Sequence, residues 1–143
     1  MNNVPDKILA SGKFDLLHPG HIYYLESSAQ LSNDPELFVV IAHQENIKDN
    51  LFSNGDRKKM LEALGFVDRV ILGRKERDFR GVLETVRPDI IALGHDQTEE
   101  TVRKHLEELS IEAEIKRIEP YKPEKYSSTA IKQKMGFEKT SDL

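Results

Sequence analysis

Apolar and polar positions along the chain follow two rhythms that take turns from one end to the other. Short runs without a polar break, Ile8-Leu9-Ala10, Leu37-Phe38-Val39-Val40-Ile41-Ala42 and Ile90-Ile91-Ala92-Leu93, read as strands of a parallel sheet covered on both faces. The first of these predicts a strand over 7–11. Val67-Asp68-Arg69-Val70-Ile71-Leu72-Gly73 adds another strand, and residues 114–118 alternate as an edge strand does. Helical spacing fills the gaps. Ile22, Leu25 and Ala29 form one apolar stripe and predict a helix reaching about residue 32, where Ser32-Asn33-Asp34-Pro35 makes a turn. Residues 56–65 predict a helix with Asp in its first turn and Gly at its end. A third helix over 79–86 is broken by Arg87-Pro88-Asp89, and a fourth over 99–109 starts near Thr98. Strands alternating with helices predict an α/β fold, a single-domain Rossmann-like, doubly wound parallel five-stranded sheet with helices on both faces and right-handed crossovers. The whole of 1–143 is expected to form one domain with loose ends at 1–6 and 137–143, without an internal repeat or linker.

Composition narrows the function. At 143 residues the chain can bury a core without disulfides or metal, and its formal charge of −4, mixed in sign, argues against broad nucleic-acid binding. Any anion site must therefore be local. The absence of cysteine excludes a disulfide frame, a thiolate–zinc site and a thiol nucleophile. No run approaches the roughly 18 apolar residues of a membrane span, and residues 1–6 have no signal-peptide pattern. The expectation is a soluble cytoplasmic protein that does not engage membranes.

The chemistry gathers in Ser11-Gly12-Lys13-Phe14-Asp15-Leu16-Leu17-His18-Pro19-Gly20-His21, between the first strand and the first helix. Folds of this class hold phosphates at such a place. Gly12 allows close approach of backbone to a ligand, and Gly20 leaves the helix entrance free of a side chain. The first helical N–H groups lack intrahelical partners, and the macrodipole adds partial positive charge there. His18 and His21 lie three apart, so both imidazoles can face one oxyanion. Zinc binding by the pair would need a third ligand, and none is obvious nearby. A purely structural histidine pair is the other plain alternative.

The pattern G-x-F-D-x-x-H-P-G-H resembles the signature of the HxGH nucleotidyltransferases. That family includes glycerol-3-phosphate and choline-phosphate cytidylyltransferases, sugar-phosphate adenylyltransferases and archaeal FAD synthetases. The resemblance implies nucleotide contacts from Gly12, Lys13, Phe14, His18, Pro19, Gly20 and His21, with His18 and His21 catalytic. Lys13 departs from the small residue or Thr usual in the family. Lys48 matches a lysine that approaches substrate phosphates in relatives. Residues 43–56 are shorter than the basic connection of many archaeal FAD synthetases. Arg57 falls on the arginine of the family's E-x-R-x-x-M/L-x-E-A-L, in either a structural or a phosphate-facing role.

Gly94-His95-Asp96-Gln97 matches the archaeal FAD synthetase loop, where the Asp contacts the nucleotide; an Asp there could instead cap the next helix. Tyr121 falls on a nucleotide-contacting tyrosine of the same enzymes. Ser127, Ser128 and Thr129 resemble the second signature, I-S-S/T-T-x-I, with Tyr126 in place of Ile. The resemblance implies transfer of a nucleoside monophosphate from a triphosphate to a phosphate-bearing acceptor, with release of pyrophosphate. Ser127, Ser128 and Lys13 or Lys48 would hold the β- and γ-phosphates. The expected cofactor is a divalent metal, Mg²⁺, bound through the nucleotide rather than by protein ligands. The loops favour ATP and FMN as substrates. A glycerol-3-phosphate cytidylyltransferase using CTP is the alternative, then a sugar-phosphate adenylyltransferase. A non-catalytic nucleotide-binding module is disfavoured by the complete histidine pair. A homodimer is also expected, with surface near Leu51 and Phe52.

Overall fold

The structure, a computed structural model, describes residues 4–94 and 97–136, without the side chain of Ser128. The elements run β1 (Asp6–Gly12), α1 (Pro19–Ala29), β2 (Pro35–Ile41), α2 (Asn54–Glu62), β3 (Arg69–Leu72), α3 (Phe79–Val86), β4 (Ile90–Leu93), α4 (Glu99–Leu109), β5 (Glu114–Arg117) and α5 (Ser128–Lys134). All strand pairs are parallel and the sheet order is β3-β2-β1-β4-β5. Alternate residues of β1 point to opposite faces, as a pleated strand requires. Ile8 and Ala10 join Leu25 of α1 and Leu61 of α2 in one core, whereas Leu9 joins Leu83 of α3 and Val102 and Leu106 of α4 in the other. Helices thus cover both faces, and the sheet is doubly wound.

Strand ends differ from the sequence expectation by a residue or two, and three boundary shifts have a local reason. α1 ends at Ala29 rather than near 32, because the Ser32 hydroxyl is committed to the turn, donating to Asp6 Oδ2 and accepting from Asp34 N. α2 begins at Asn54, since the Ser53 side chain caps it by accepting from Asp56 N at 3.2 Å. The chain is already in the sheet at Asp6, whose N–H donates to Asp34 O, so the loose lead stops short of it. In α1 the buried stripe is Leu25 and Ser28; Ile22 and Ala29 are only half-buried. No described helix is long and apolar enough to cross a membrane.

The strand order sets where a ligand can go. Successive connections leave β1 in one direction to β2 and β3, then return across it to β4 and β5. The switch point therefore lies between the carboxyl ends of β1 and β4, where open α/β sheets bind ligands. β1 pairs with β2 as far as Gly12↔Ile41, but with β4 only as far as Ala10↔Ala92. Beyond that point the Tyr24 hydroxyl stands between the strands, accepting from Ser11 N at 3.2 Å and donating to Ala92 O at 2.5 Å. Gln97 bridges the same gap, donating to Ser11 Oγ at 3.0 Å and accepting from Gly94 N at 2.9 Å.

Candidate active site

After β1 the chain turns sharply. Phe14 has φ +50°, in the left-handed region that a bulky residue rarely occupies, and its side chain is 2% exposed. That turn drops the ring beneath the loop. A Cβ at residue 12 would stand 2.9 Å from the ring, so Gly12 is what lets Phe14 pass. The ring then meets His21 edge-on, with centroids 5.1 Å apart. Strain of this kind is characteristically kept at functional sites.

The two histidines close the start of α1 by capping it reciprocally. His18, the N-cap residue with extended backbone, accepts the Gly20 N–H at Nδ1 over 3.0 Å, while His21 Nδ1 accepts the His18 N–H over 3.2 Å. Pro19, with no N–H to satisfy, occupies the first helical position. The rings lie 3.8 Å apart. Since Nδ1 of each must accept, the proton of each neutral ring sits on Nε2. Burial holds both neutral: it lowers the His18 pKa, and it lowers that of His21 to about 4, helped by the neighbouring His18 and opposed by the Leu16 carbonyl. The capping geometry thus leaves two Nε2–H donors and no net charge.

Below this entrance the loop is braced from two sides. Asp15, 6% exposed, accepts the N–H groups of Leu51 and Phe52 at 2.6 and 2.9 Å. Arg57 is fully buried; its guanidinium donates to Lys13 O at 2.7 Å and to Asn54 Oδ1 at 2.9 Å. Burial lowers its pKa and the Asp15 carboxylate raises it. These bonds correct the phosphate-facing alternative: Arg57 does not reach the cavity, and its cation holds backbone in place. Leu51 and Phe52 likewise serve through their main chain.

Above the entrance opens a cavity of about 860 Å³. That lies toward the upper end of the roughly 300–1,000 Å³ of small-molecule sites. Of the sequence-predicted residues, Gly12, Lys13, Phe14, His18, Gly20, His21, Lys48, Tyr121, Ser127 and Thr129 all line it; Pro19 does not. Asp96 lies outside the described residues, as does the Ser128 side chain. The loop from β5 to α5 crosses α1 so closely that a Cβ at residue 20 would stand 2.8 Å from Tyr126 O. Here too only glycine fits. Tyr121 stacks between Tyr23 and Tyr126, with centroids 5.1 and 5.8 Å away. Ser127 Oγ accepts from Ala130 N at 3.0 Å as the cap of α5, which leaves its hydroxyl proton for a ligand. Sequence reasoning gave no site role to Asp15, Tyr24 or Gln97, which also line the cavity.

The family model for cytidylyltransferase-like proteins matches residues 9–134. The chain belongs to the cytidylyltransferase-like family. Among its relatives, an FAD synthase of Methanosarcina barkeri is 43% identical, the match covering 78% of this chain and 82% of the relative. An FAD synthase of Methanolacinia petrolearia is 42% identical over 86% of this chain and 84% of its own. A solved lipopolysaccharide core biosynthesis protein from Thermoplasma volcanium superposes with a TM-score of 0.74 at 38% identity, over 81% of this chain and 98% of that one. Within the family's frame, the matched span begins in β1 and ends with α5, so it takes in both the histidine entrance and the Ser127 cap.

Proposed function

We propose that the protein is a nucleotidyltransferase that moves AMP from ATP onto FMN, giving FAD and pyrophosphate. The observation that carries the reading is the locked histidine pair: two neutral imidazoles, each obliged to present Nε2–H, at a helix entrance on a cavity with room for two nucleotides. Relatives of about 40% identity called FAD synthases support the choice of substrates. A phosphate oxygen of FMN attacks the α-phosphorus of ATP, the bond from that phosphorus to the bridging oxygen breaks, and pyrophosphate leaves with the electron pair. The protein supplies no nucleophile. Its work is to align the two phosphates and to meet the developing negative charge with donors fixed beforehand. His18 and His21, at the positive end of the α1 dipole, do this at the triphosphate. Ser127 and Thr129 at α5, with Lys13, hold its outer phosphates.

Among the described residues no group of three or more metal-ligating side chains comes together. A divalent ion, Mg²⁺ in this reading, would arrive with the nucleotide and would neutralise phosphate charge there.

The test is a panel: pyrophosphate release from ATP or CTP with FMN, glycerol-3-phosphate or heptose-1-phosphate, with FAD formation followed by the fall in flavin fluorescence. Turnover is expected with ATP and FMN. Activity with CTP and none with ATP excludes FAD synthesis. A second reading, a sugar-phosphate acceptor, draws on the likeness to the lipopolysaccharide core biosynthesis protein; turnover of heptose-1-phosphate in preference to FMN would establish it.

A further inference from the structure

β1 and β4 separate at the switch point, although each stays paired on its other side. β1 remains in the ladder with β2 to its last residue, and Ala42 N donates to Gly12 O at 3.0 Å. β4 likewise keeps β5, with Ile118 N donating to Leu93 O at 2.8 Å. The opening is confined to the one seam between them. One further step of their register would pair Ser11 with Leu93. A parallel ladder makes such a pair with two bonds, here Ser11 N–H to Ala92 O and Gly94 N–H to Ser11 O. The ladder stops just before it.

Each of those two bonds has a side chain inserted in it. The Tyr24 hydroxyl, from α1, accepts Ser11 N–H at 3.2 Å and donates to Ala92 O at 2.5 Å. The Gln97 amide, from the residue before the N-cap of α4, accepts Gly94 N–H at 2.9 Å and donates to Ser11 O at 3.3 Å. Both insertions run in the ladder's own direction, from N–H through the side chain to C=O. The backbone groups stay satisfied while the strands stand farther apart. Direct pairing would satisfy the same four groups without either side chain, so what the insertions add is the width of the gap. The Tyr24 ring is stacked on Phe14 with centroids 6.4 Å apart, which fixes the hydroxyl. Gln97 N–H closes its own turn on Gly94 O, and Arg117 donates to the same oxygen.

We propose that Tyr24 and Gln97 are positioning residues, a pair of wedges that set the width of the active-site cleft. The inference rests on the reading of the site as a triphosphate cradle and names what spaces its two halves. Lys13, His18 and His21 follow β1, whereas Ser127 and Thr129 follow β5, which is paired to β4. The seam thus lies between the two sets of donors. Replacing legs of 3.2 and 2.5 Å by one bond of about 2.9 Å would draw the strand ends together by roughly 2 Å. Misplacement by about 1 Å can cost about 10²-fold in rate. Ser11, Tyr24, Gly94 and Gln97 all line the cavity, so closure of the seam would change its shape directly.

The experiment compares the wild type with Tyr24→Phe and Tyr24→Phe/Gln97→Ala. The single variant keeps the ring and loses only the hydroxyl, so it folds even if the double variant does not. Turnover and KM with ATP and FMN are measured beside the urea midpoint and the through-hydrogen-bond NMR couplings from backbone nitrogen to carbonyl carbon. The wild type should show no coupling from Ser11 N to the Ala92 carbonyl or from Gly94 N to the Ser11 carbonyl. Tyr24→Phe, which removes the inner wedge, should gain the first coupling and the double variant both. The urea midpoint is expected to stay near that of the wild type while kcat falls about 100-fold. Ordinary braces would behave otherwise: their loss lowers the midpoint and cuts turnover only as far as folded protein is lost, and that result overturns the proposal. A folded variant without the new coupling overturns it too, and a raised KM there would place Tyr24 or Gln97 on a substrate. So does an unchanged kcat in a variant whose seam has closed. Failure of the wild type to make FAD from ATP and FMN overturns the functional reading instead, and the couplings, which need no substrate, still decide whether the wedges hold the seam.

Discussion

Two separable jobs fall to His21 in the proposed function, and substitution can split them. Its Nδ1 accepts the His18 N–H at 3.2 Å and so caps α1, while its Nε2–H is the donor proposed for the reaction. An asparagine places its amide oxygen near the position of Nδ1 and has nothing at Nε2. His21→Asn should therefore keep the cap and lose the donor, whereas His21→Ala loses both. The lost cap costs about 1 kcal/mol. The edge-on contact with Phe14, at 5.1 Å, adds about 0.5–1.5 kcal/mol. His21→Ala is thus expected to unfold about 1.5–2.5 kcal/mol more easily, and His21→Asn, which keeps the cap and loses the ring contact, about 0.5–1.5 kcal/mol more easily in urea. Turnover should fall alike in both, by about 10²–10³, the cost of removing one preorganised donor to developing negative charge. Pyrophosphate release at saturating ATP and FMN measures it. Wild-type turnover in His21→Asn would refute the assignment. So would a loss in His21→Ala matched by its loss of folded protein.

Further outcomes follow from the same geometry. Arg57→Met strands Lys13 O and leaves Asn54 Oδ1 with the Gln44 N–H alone, and urea unfolding should show a loss of about 2–4 kcal/mol; unchanged stability with lost substrate affinity would instead put the guanidinium on a ligand. The folded His21 pKa of about 4 lies below the unfolded 6.5, so the unfolded chain binds more protons between them and stability declines as pH falls through that window. At about 1.36 kcal/mol per pH unit the loss approaches 3 kcal/mol, with His18 adding in the same direction; urea midpoints of the wild type relative to His21→Asn between pH 7.5 and 4.5 measure it, and parallel curves would show that burial does not depress the pKa. Gly20→Ala drives a methyl against the His18 ring and Tyr126 O, which should cost about 1–3 kcal/mol and displace the β5–α5 loop, seen as lowered melting temperature and weakened ATP binding; a variant equal to wild type in both would show that the two segments do not press together.

Periodicity reached the elements whose ends are marked chemically. α3, β4 and α4 occupy their expected residues because Arg87-Pro88-Asp89 and the Thr98 region leave the chain little choice. α1 and α2 shifted because serine hydroxyls, which serve either turns or caps, decided their ends. The histidine pair was legible from spacing and a helix start. Its tautomers were not, since they depend on the extended conformation of His18 that lets each Nδ1 accept from the other's neighbourhood. Arg57 looked equally suited to phosphate or core, because burial is invisible in a single charged letter. Nothing in the sequence marks Tyr24; only the strand order places its hydroxyl between β1 and β4. The cations after β3 look alike in the sequence, and pairing separates Lys75 and Arg80 from Arg74 and Arg77.

Residues 43–56 are held at both ends by the braces beneath the entrance. Asp15 fixes the N–H groups of Leu51 and Phe52, and Arg57 ties Asn54 to Lys13 O, so residues 51–57 are held against the loop that carries the histidines. At the other end Asn46 ties residue 46 to the wall after β3. Only 47–50 remain between the two anchors, with Asp49 in a left-handed conformation at φ +54° to make the turn. Extra residues inserted there would have to bulge from a span fixed at both ends. The free direction includes the space beside Lys48, on the side of the cavity toward β2 and β3. Extra length there would therefore narrow that side of the cavity and leave the histidine entrance undisturbed.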